Sequence, residues 1–265
     1  MLAALAPVLR SLLALTPAQR SALGALYAAT DGEGWANKTG WLGASDPCEW
    51  FGVTCNDGAV VELNMRTGAD EYGFNIGNSM AGTLPSQLSG AAGLAVLWLY
   101  DNNISGTMPT ELMKLTGLEA LVLSNSPPID ETPGYYSAAP LPMSGTVPTQ
   151  LAALEGLGFL ALQYSSLSGT LPVELANLTA LSAVYCNNNA VSGTLPPHLA
   201  ELTTLTILDL DTTSLSGTVP TQLAELSTLT FLDLDATSLS TRVRGRRGRR
   251  RRVRRRLLWR ATAGL

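Results

Sequence analysis

The chain has 265 residues, with 17 Lys plus Arg against 21 Asp plus Glu and a formal charge of −4. That balance conceals a segregation. Twelve of the basic residues, all arginine, lie between Arg242 and Arg260, so residues 1–241 carry five basic groups against 21 acidic ones. An apolar fraction of 46% with 14% charged residues excludes a wholly disordered chain, and no run of 18 or more apolar residues offers an ordinary membrane span.

Met1–Val8 is apolar but short, and Arg10 interrupts it before Ser11–Leu15. A secretory signal sets its positive charge ahead of the apolar run, so this start reads as a weak signal or as an extra helix packed on the next segment. Thr16-Pro17-Ala18-Gln19 is a capping box with proline at the first helical position. It predicts a helix to about Ala29 that stops at Asp31-Gly32, with Leu23, Leu26 and Tyr27 facing inward. Trp35, Trp41 and Trp50 come next, dense enough to form a compact aromatic core. Cys48 and Cys55 lie in Cys-Glu-Trp-Phe-Gly-Val-Thr-Cys. A redox or metal pair would bring a C-x-x-C motif or a second ligand pair, and the sequence has neither.

From Gly82 onward the chain repeats. Gly82, Gly106, Gly145, Gly169, Gly193 and Gly217 each open a Gly-Thr-x-Pro quartet, at separations of 24, 39, 24, 24 and 24 residues. The long interval is one period plus a 15-residue insertion. A fixed period of this size is the signature of a solenoid. In Gly193–Ser216, Leu205, Leu208 and Leu210 follow L-x-x-L-x-L with strand alternation. Each unit thus supplies one short strand to a parallel sheet, and stacking makes the leucine core continuous. Leu199, Leu202 and Leu205 recur every three residues, a short 3-10-like or helical turn on the other side. The preceding Gly-Thr supplies a tight turn or a short second strand.

The unit L-x-x-L-x-L-x-x-N-x-L-S-G-x-x-P closely resembles the plant-type leucine-rich repeat of receptor kinase ectodomains, receptor-like proteins and polygalacturonase inhibitors. The match runs from about Val60 to Ser240. It implies an α/β solenoid with a curved parallel β-sheet on the concave face and 3-10 or helical turns on the convex face. Residues 1–59 then form an N-terminal region with a helical cap, 60–240 the solenoid, and 241–265 an arginine-rich segment. The Cys48/Cys55 stretch resembles the plant-type cap, where the matching cysteines form a disulfide, which would imply an oxidising compartment. The family's asparagine ladder falls at Asn102, Ser126, Ser165, Asn189, Thr213 and Thr237 here, and Ser and Thr bond backbone groups more weakly. Cys186 takes a core position equivalent to Leu210 and Leu234 and reads as a small buried hydrophobe.

Two units carry insertions, one through Arg66–Met80 and one from Pro127 to Pro142, the second with Tyr135-Tyr136. Surface variation is the plain reading, and an exposed aromatic pair touching a ligand the sharper one. Outward strand positions form columns that are aromatic and amide-rich at one end and acidic at the other. Trp98, Tyr100, Phe159, Tyr164, Tyr185 and Asn187 mark the first end, and Asp209, Asp211, Asp233 and Asp235 the second. Outward aromatics have no core role in a single-sheet solenoid, so ligand contact is expected of them. The crowded carboxylates are served most plainly by hydration, next by a cationic partner, and last by calcium, for which D-x-D alone is a weak signal.

Asn37, Asn103 and Asn177 open glycosylation sequons compatible with export. His198 reads as an ordinary surface residue. No Ser-His-Asp, H-E-x-x-H, Walker or kinase motif appears, so no catalytic residue, metal or cofactor is expected. After Ser240 the repeat pattern demands another Gly-Thr-x-Pro but meets arginine. The reading preferred is a frameshift or gene-model error that converts a further repeat, ahead of a nuclear-localisation or nucleic-acid-binding arm or an anionic-membrane contact.

The expected function is non-enzymatic recognition at the cell surface or outside the cell. The concave face would hold a protein, peptide or glycan, and the chain would act as a monomer that meets a membrane only through a missing region or a partner receptor. The alternative is an intracellular scaffold or nucleic-acid-associated protein using the arginine-rich segment.

Overall fold

The structure is a computed structural model that describes residues 15–69, 75–124 and 143–240. Helix α1 (Pro17–Ala29) opens the described chain. Thr16 accepts a hydrogen bond from the Gln19 backbone N–H while the Gln19 side chain accepts one from the Thr16 N–H, so both ends of the predicted capping box are made. Leu23, Leu26 and Tyr27 are buried as expected. Below them Tyr27, Trp35, Trp41 and Trp50 form one aromatic cluster with ring centroids 4.7 to 5.9 Å apart. The Trp35 and Trp41 indoles donate to the Thr30 and Phe51 carbonyls. Cys48 and Cys55 are joined by a disulfide.

One sheet runs the length of the molecule. It begins with β1 (Val53–Asn56), antiparallel to β2 (Ala59–Asn64), and goes on in parallel. Setting aside β3 (Arg66–Ala69), β4 (Asn75–Gly77) and β5 (Ala81–Thr83), the next strand of this sheet is β6 (Val96–Trp98). After β7 (Asn103–Thr107) come β8 (Ala120–Val122), then β9 (Met143–Thr146) and β10 (Phe159–Ala161). Beyond β11 (Ser166–Ser168) and β13 (Ser192–Gly193), the sheet adds β12 (Ala183–Tyr185), β14 (Ile207–Asp209) and β16 (Phe231–Asp233). The register sets Leu63, Leu97, Leu121, Leu160, Val184, Leu208 and Leu232 in one inward row. Cap and repeats share one apolar core, which includes Leu23, Trp50, Leu97 and Leu208.

The Gly-Thr segments form short strands rather than isolated turns. β5, β7, β9 and β11 make one ribbon, and β13, β15 (Ser214–Thr218) and β17 (Ser238–Ser240) another. Ser105, Ser168, Ser192, Ser216 and Ser240 each donate a side-chain hydrogen bond to a glycine carbonyl one coil earlier. The glycines fix the spacing. Gly193 has φ +83°, and a Cβ there would lie 2.8 Å from the Thr170 methyl of the preceding coil. At Gly82 a Cβ would lie 2.1 Å from the Ala29 carbonyl, so the first ribbon strand closes directly on the end of α1. Six 3-10 turns, from Ser86–Gly90 to Thr221–Glu225, complete the coils, each with a proline as its N-cap. His198 is exposed on one of them.

The asparagine ladder is longer than the repeat spacing predicts. Asn78, completely buried, takes its first position, accepting from the Asn37 N–H and donating to the Asn37 carbonyl. Asn102 then accepts from the N–H groups of Asn78 and Met80 and donates to the carbonyls of Leu99 and Tyr100. Asn189 bonds the Leu167 N–H and the Leu162 carbonyl of the coil before it. Thr213 and Thr237 donate only within their own coil, to Leu210 and Leu234, and the buried Ser165 hydroxyl has no hydrogen-bond partner. Ser126, the Tyr135-Tyr136 insertion, the N-terminal stretch before Leu15 and the arginine-rich segment lie outside the described residues.

Candidate functional site: the concave sheet

Strand alternation carries Trp98, Phe159, Tyr185, Asp209 and Asp233 to the outer face of the long sheet, as the sequence predicts. Past each strand the ladder continues for a further step. The N–H groups of Asp101, Tyr164, Asn188 and Thr212 donate to the carbonyls of Ser124, Asn187, Asp211 and Asp235 on the following coil. Asp101, Tyr164, Asn188, Thr212 and Ala236 all have φ between 48° and 55°, so each coil leaves its strand through a left-handed residue. Tyr100, Asn187, Asp211 and Asp235 therefore belong to the same concave surface, and Tyr164 marks its rim.

The expectation that these aromatics lack a core role is corrected by the structure. Tyr100 and Tyr185 are 3% and 5% exposed, and with Val122, Ala161 and Ala183 they form a second apolar cluster on top of the sheet. Trp98 and Phe159 pack against it. Their rings stack at 6.4 Å between centroids, and Phe159 meets Tyr185 at 5.7 Å. The reason is geometric: strand spacing near 4.8 Å brings large rings on nearby strands into contact, and small residues between them leave room for the rings to lean. Trp98, Phe159 and Tyr164 keep partial exposure. The Trp98 indole nitrogen is buried without a hydrogen-bond partner, and so is the Asn187 side-chain oxygen.

Across the acidic half, Asp209 and Asp233 are direct neighbours in register. Asp209 accepts a hydrogen bond from the Asp211 N–H at 3.2 Å, and Asp233 one from the Asp235 N–H at 3.0 Å. Asp233 is 8% exposed, and the other three are half-buried. Beneath them Cys186 is buried, and burial, reinforced by the Asp209 charge, pushes its thiol up to about 12. Among the described residues, no group of three or more His, Cys, Asp or Glu comes together in a way that could hold a metal ion.

Sequence reasoning missed the first tier of this face. On β2 the outward residues are Glu62 and Asn64, in register with Val96 and Trp98, and Arg66 begins β3 beyond them. Asn64 donates to Glu62 and accepts from the Arg66 Nε, while the Arg66 guanidinium lies over the Trp98 ring at 4.5 Å. The alternation around Leu63 and Met65 carried the signal for all three. Of the sequon asparagines, Asn103 and Asn177 are exposed and Asn37 is half-buried, its side-chain oxygen accepting from the Thr39 N–H.

The geometry now supports an assignment. A leucine-rich repeat N-terminal domain model matches residues 17–56, and a leucine-rich repeat model matches 93–115. The described residues have the leucine-rich repeat solenoid fold, with a leucine-rich repeat N-terminal domain at its start. No curated protein matches the sequence. Among solved structures, this leucine-rich repeat chain is similar to PEPR1 bound to AtPEP1, at 26% identity and a TM-score of 0.66, over 84% of this chain and 29% of that one. It is similar to the Arabidopsis HAESA ectodomain, in complex with an IDA peptide hormone ligand, at 25% identity and a TM-score of 0.64, over 84% and 34%. A third is the plant peptide hormone receptor RGFR1 in complex with RGF2, at 28% identity and a TM-score of 0.52, over 59% and 23%. The chain thus spans about a third or less of the length of these receptor ectodomains.

Proposed function

We propose that this leucine-rich repeat module binds an extended peptide along its concave sheet and performs no catalysis itself. The observation that carries this reading is the polarity of one continuous face. Aromatic edges at Trp98, Phe159 and Tyr164 give way to the Asp209/Asp233 and Asp211/Asp235 rows. An extended ligand lying across the coils would rest apolar side chains on the first part and basic side chains on the second. The peptide-hormone complexes among the similar structures favour a peptide over a glycan for this surface. The Cys48–Cys55 disulfide suits an oxidising compartment and so disfavours an intracellular scaffold.

The test is selection from a displayed library of random short peptides on the full chain. Binders should carry Lys or Arg towards one end, weaken with salt, and fall away on the Asp209→Asn/Asp233→Asn variant. Binders that hold the double variant as tightly as the parent would refute the acidic half as a contact. Failure to enrich any peptide would refute the whole reading.

A further inference from the structure

A groove of about 490 Å³ opens where the cap meets the solenoid, lined in part by Thr54 on β1 and by Glu62, Asn64 and Arg66 on and beyond β2. We propose that this first tier of the concave face is a binding site for a neutral saccharide unit, next to the peptide surface proposed above and beginning where Arg66 covers Trp98.

The lining side chains are the first argument. Glu62 and Asn64 are planar polar groups on one face of β2, and Arg66, the first residue of β3, continues their alternation. They are joined in series, Asn64 to Glu62 at 3.1 Å and Arg66 to Asn64 at 2.9 Å. Such a series fixes rotamers before any ligand arrives, which cuts the ordering cost of binding. Its ends differ: a carboxylate accepts only, a guanidinium donates only, and the amide between does both. Vicinal hydroxyls, each donor and acceptor at once, complement such a row. An apolar side chain does not.

Charge is the second argument. Glu62 and Arg66 offset one another within the groove, which removes the drive for a phosphate, a sulfate or a polyamine. That leaves neutral polar ligands and zwitterions. A zwitterion would set its ammonium on Glu62 and its carboxylate on Arg66, but the Asn64 amide already ties those two groups into one hydrogen-bonded line. A polyol can add hydroxyls along that line without breaking it.

Space is the third. Gly52 has φ +76°, and a Cβ on it would lie 2.6 Å from the Asn64 carbonyl, so glycine is required for the β1 side to sit this close to β2. At Gly68 a Cβ would meet nothing within 4 Å among the described residues. The Arg66 guanidinium, stacked on Trp98, forms the boundary with the aromatic surface. The volume has room for one or two sugar rings.

The experiment is a protein-observed NMR titration of the full chain with methyl glucoside, methyl galactoside, N-acetylglucosamine and cellobiose, and with glycine and alanylalanine as zwitterions. At least one saccharide should shift the amides of residues 52–54 and 62–68 with a millimolar dissociation constant. Asn64→Ala should weaken it by about fivefold or more, the loss of a shared hydrogen-bond partner, and Asp211→Asn should leave it unchanged. The proposal is overturned if no saccharide shifts these amides, if the zwitterions shift them instead, or if Asn64→Ala binds as the parent does. None of these results depends on whether the concave face holds a peptide.

Discussion

The two ends of the solenoid are built from the same unit but joined differently. Near the cap, Asn78 and Asn102 reach between coils, and Asn102 alone satisfies two backbone N–H groups of its neighbour. At the far end, Thr213 and Thr237 bond their own coil, and adjacent coils are held by the sheet, the serine-to-glycine bonds, leucine packing and the hydroxyls of Thr204, Thr206, Thr228 and Thr230, which donate to carbonyls one coil earlier. A hydroxyl is too short to span the gap that an amide fills. The period therefore specifies the coil, while the residue at the ladder position decides whether the turn after each strand is also bonded to the next coil.

The largest expected effect lies at the cap junction. Gly82→Ala would force a left-handed-side φ of +118° on alanine and press its Cβ against the Ala29 carbonyl. The loss should reach about 3 kcal/mol or more, combining backbone strain with overpacking. Gly193→Ala meets a methyl rather than a backbone oxygen and should lose about 2 kcal/mol. Urea unfolding of both variants ranks the two junctions, and equal losses would erase the distinction between cap and coil.

Next comes the ladder itself. Asn102→Ala leaves the Asn78 and Met80 N–H groups buried without an acceptor and should cost about 2–4 kcal/mol, whereas Thr213→Ala should cost about 1 kcal/mol or less. Hydrogen exchange offers a finer reading: the amides of residues 78 and 80 should gain many-fold in exchange rate on Asn102→Ala. If Thr213→Ala proves as damaging, a bond within one coil secures the ladder position as firmly as a bond between coils.

Reducing the Cys48–Cys55 disulfide should remove about 2 kcal/mol, given the short loop it closes. Its effect should concentrate in residues 46–56 by hydrogen exchange and leave the coils from Leu199 onward at their former protection. The smallest effect is a matter of pH. Because burial raises the Cys186 thiol from an ordinary 9.0 to about 12, the unfolded chain ionises first. Its contribution is intact below pH 9.0 and is lost as pH rises toward 12. Cys186→Ala should flatten that part of the stability profile relative to the parent, and an unchanged slope would show the thiol reaches water.

Much of this molecule can be read from spacing. Leucine alternation and the 24-residue step give strands, turns and inward rows directly, and Thr16-Pro17 with Gln19 gives the start of α1. Asn78 escaped because the insertion delays its coil. Yet it stands four residues before Gly82, as Asn102 does before Gly106, so counting back from the glycine finds it. Glu62, Asn64 and Arg66 were missed because the outward columns were begun one strand too late. The burial of Tyr100 and Tyr185 was not legible in the same way. Alternation says which face a side chain takes, but whether neighbours on that face cover one another depends on ring size and on the alanines between them.

The nesting of each ribbon glycine on the threonine one coil earlier has a consequence for how such a chain can change. Gly106, Gly145, Gly169, Gly193 and Gly217 each face a threonine supplied by the preceding unit, and each unit supplies the threonine for the next. Cutting within these units and rejoining one whole period later returns a threonine to every such glycine. Unequal recombination can thus lengthen or shorten the protein in steps of 24 residues without a new interface having to be invented, and the 39-residue step from Gly106 to Gly145 keeps the same pairing, with Gly145 on Thr107.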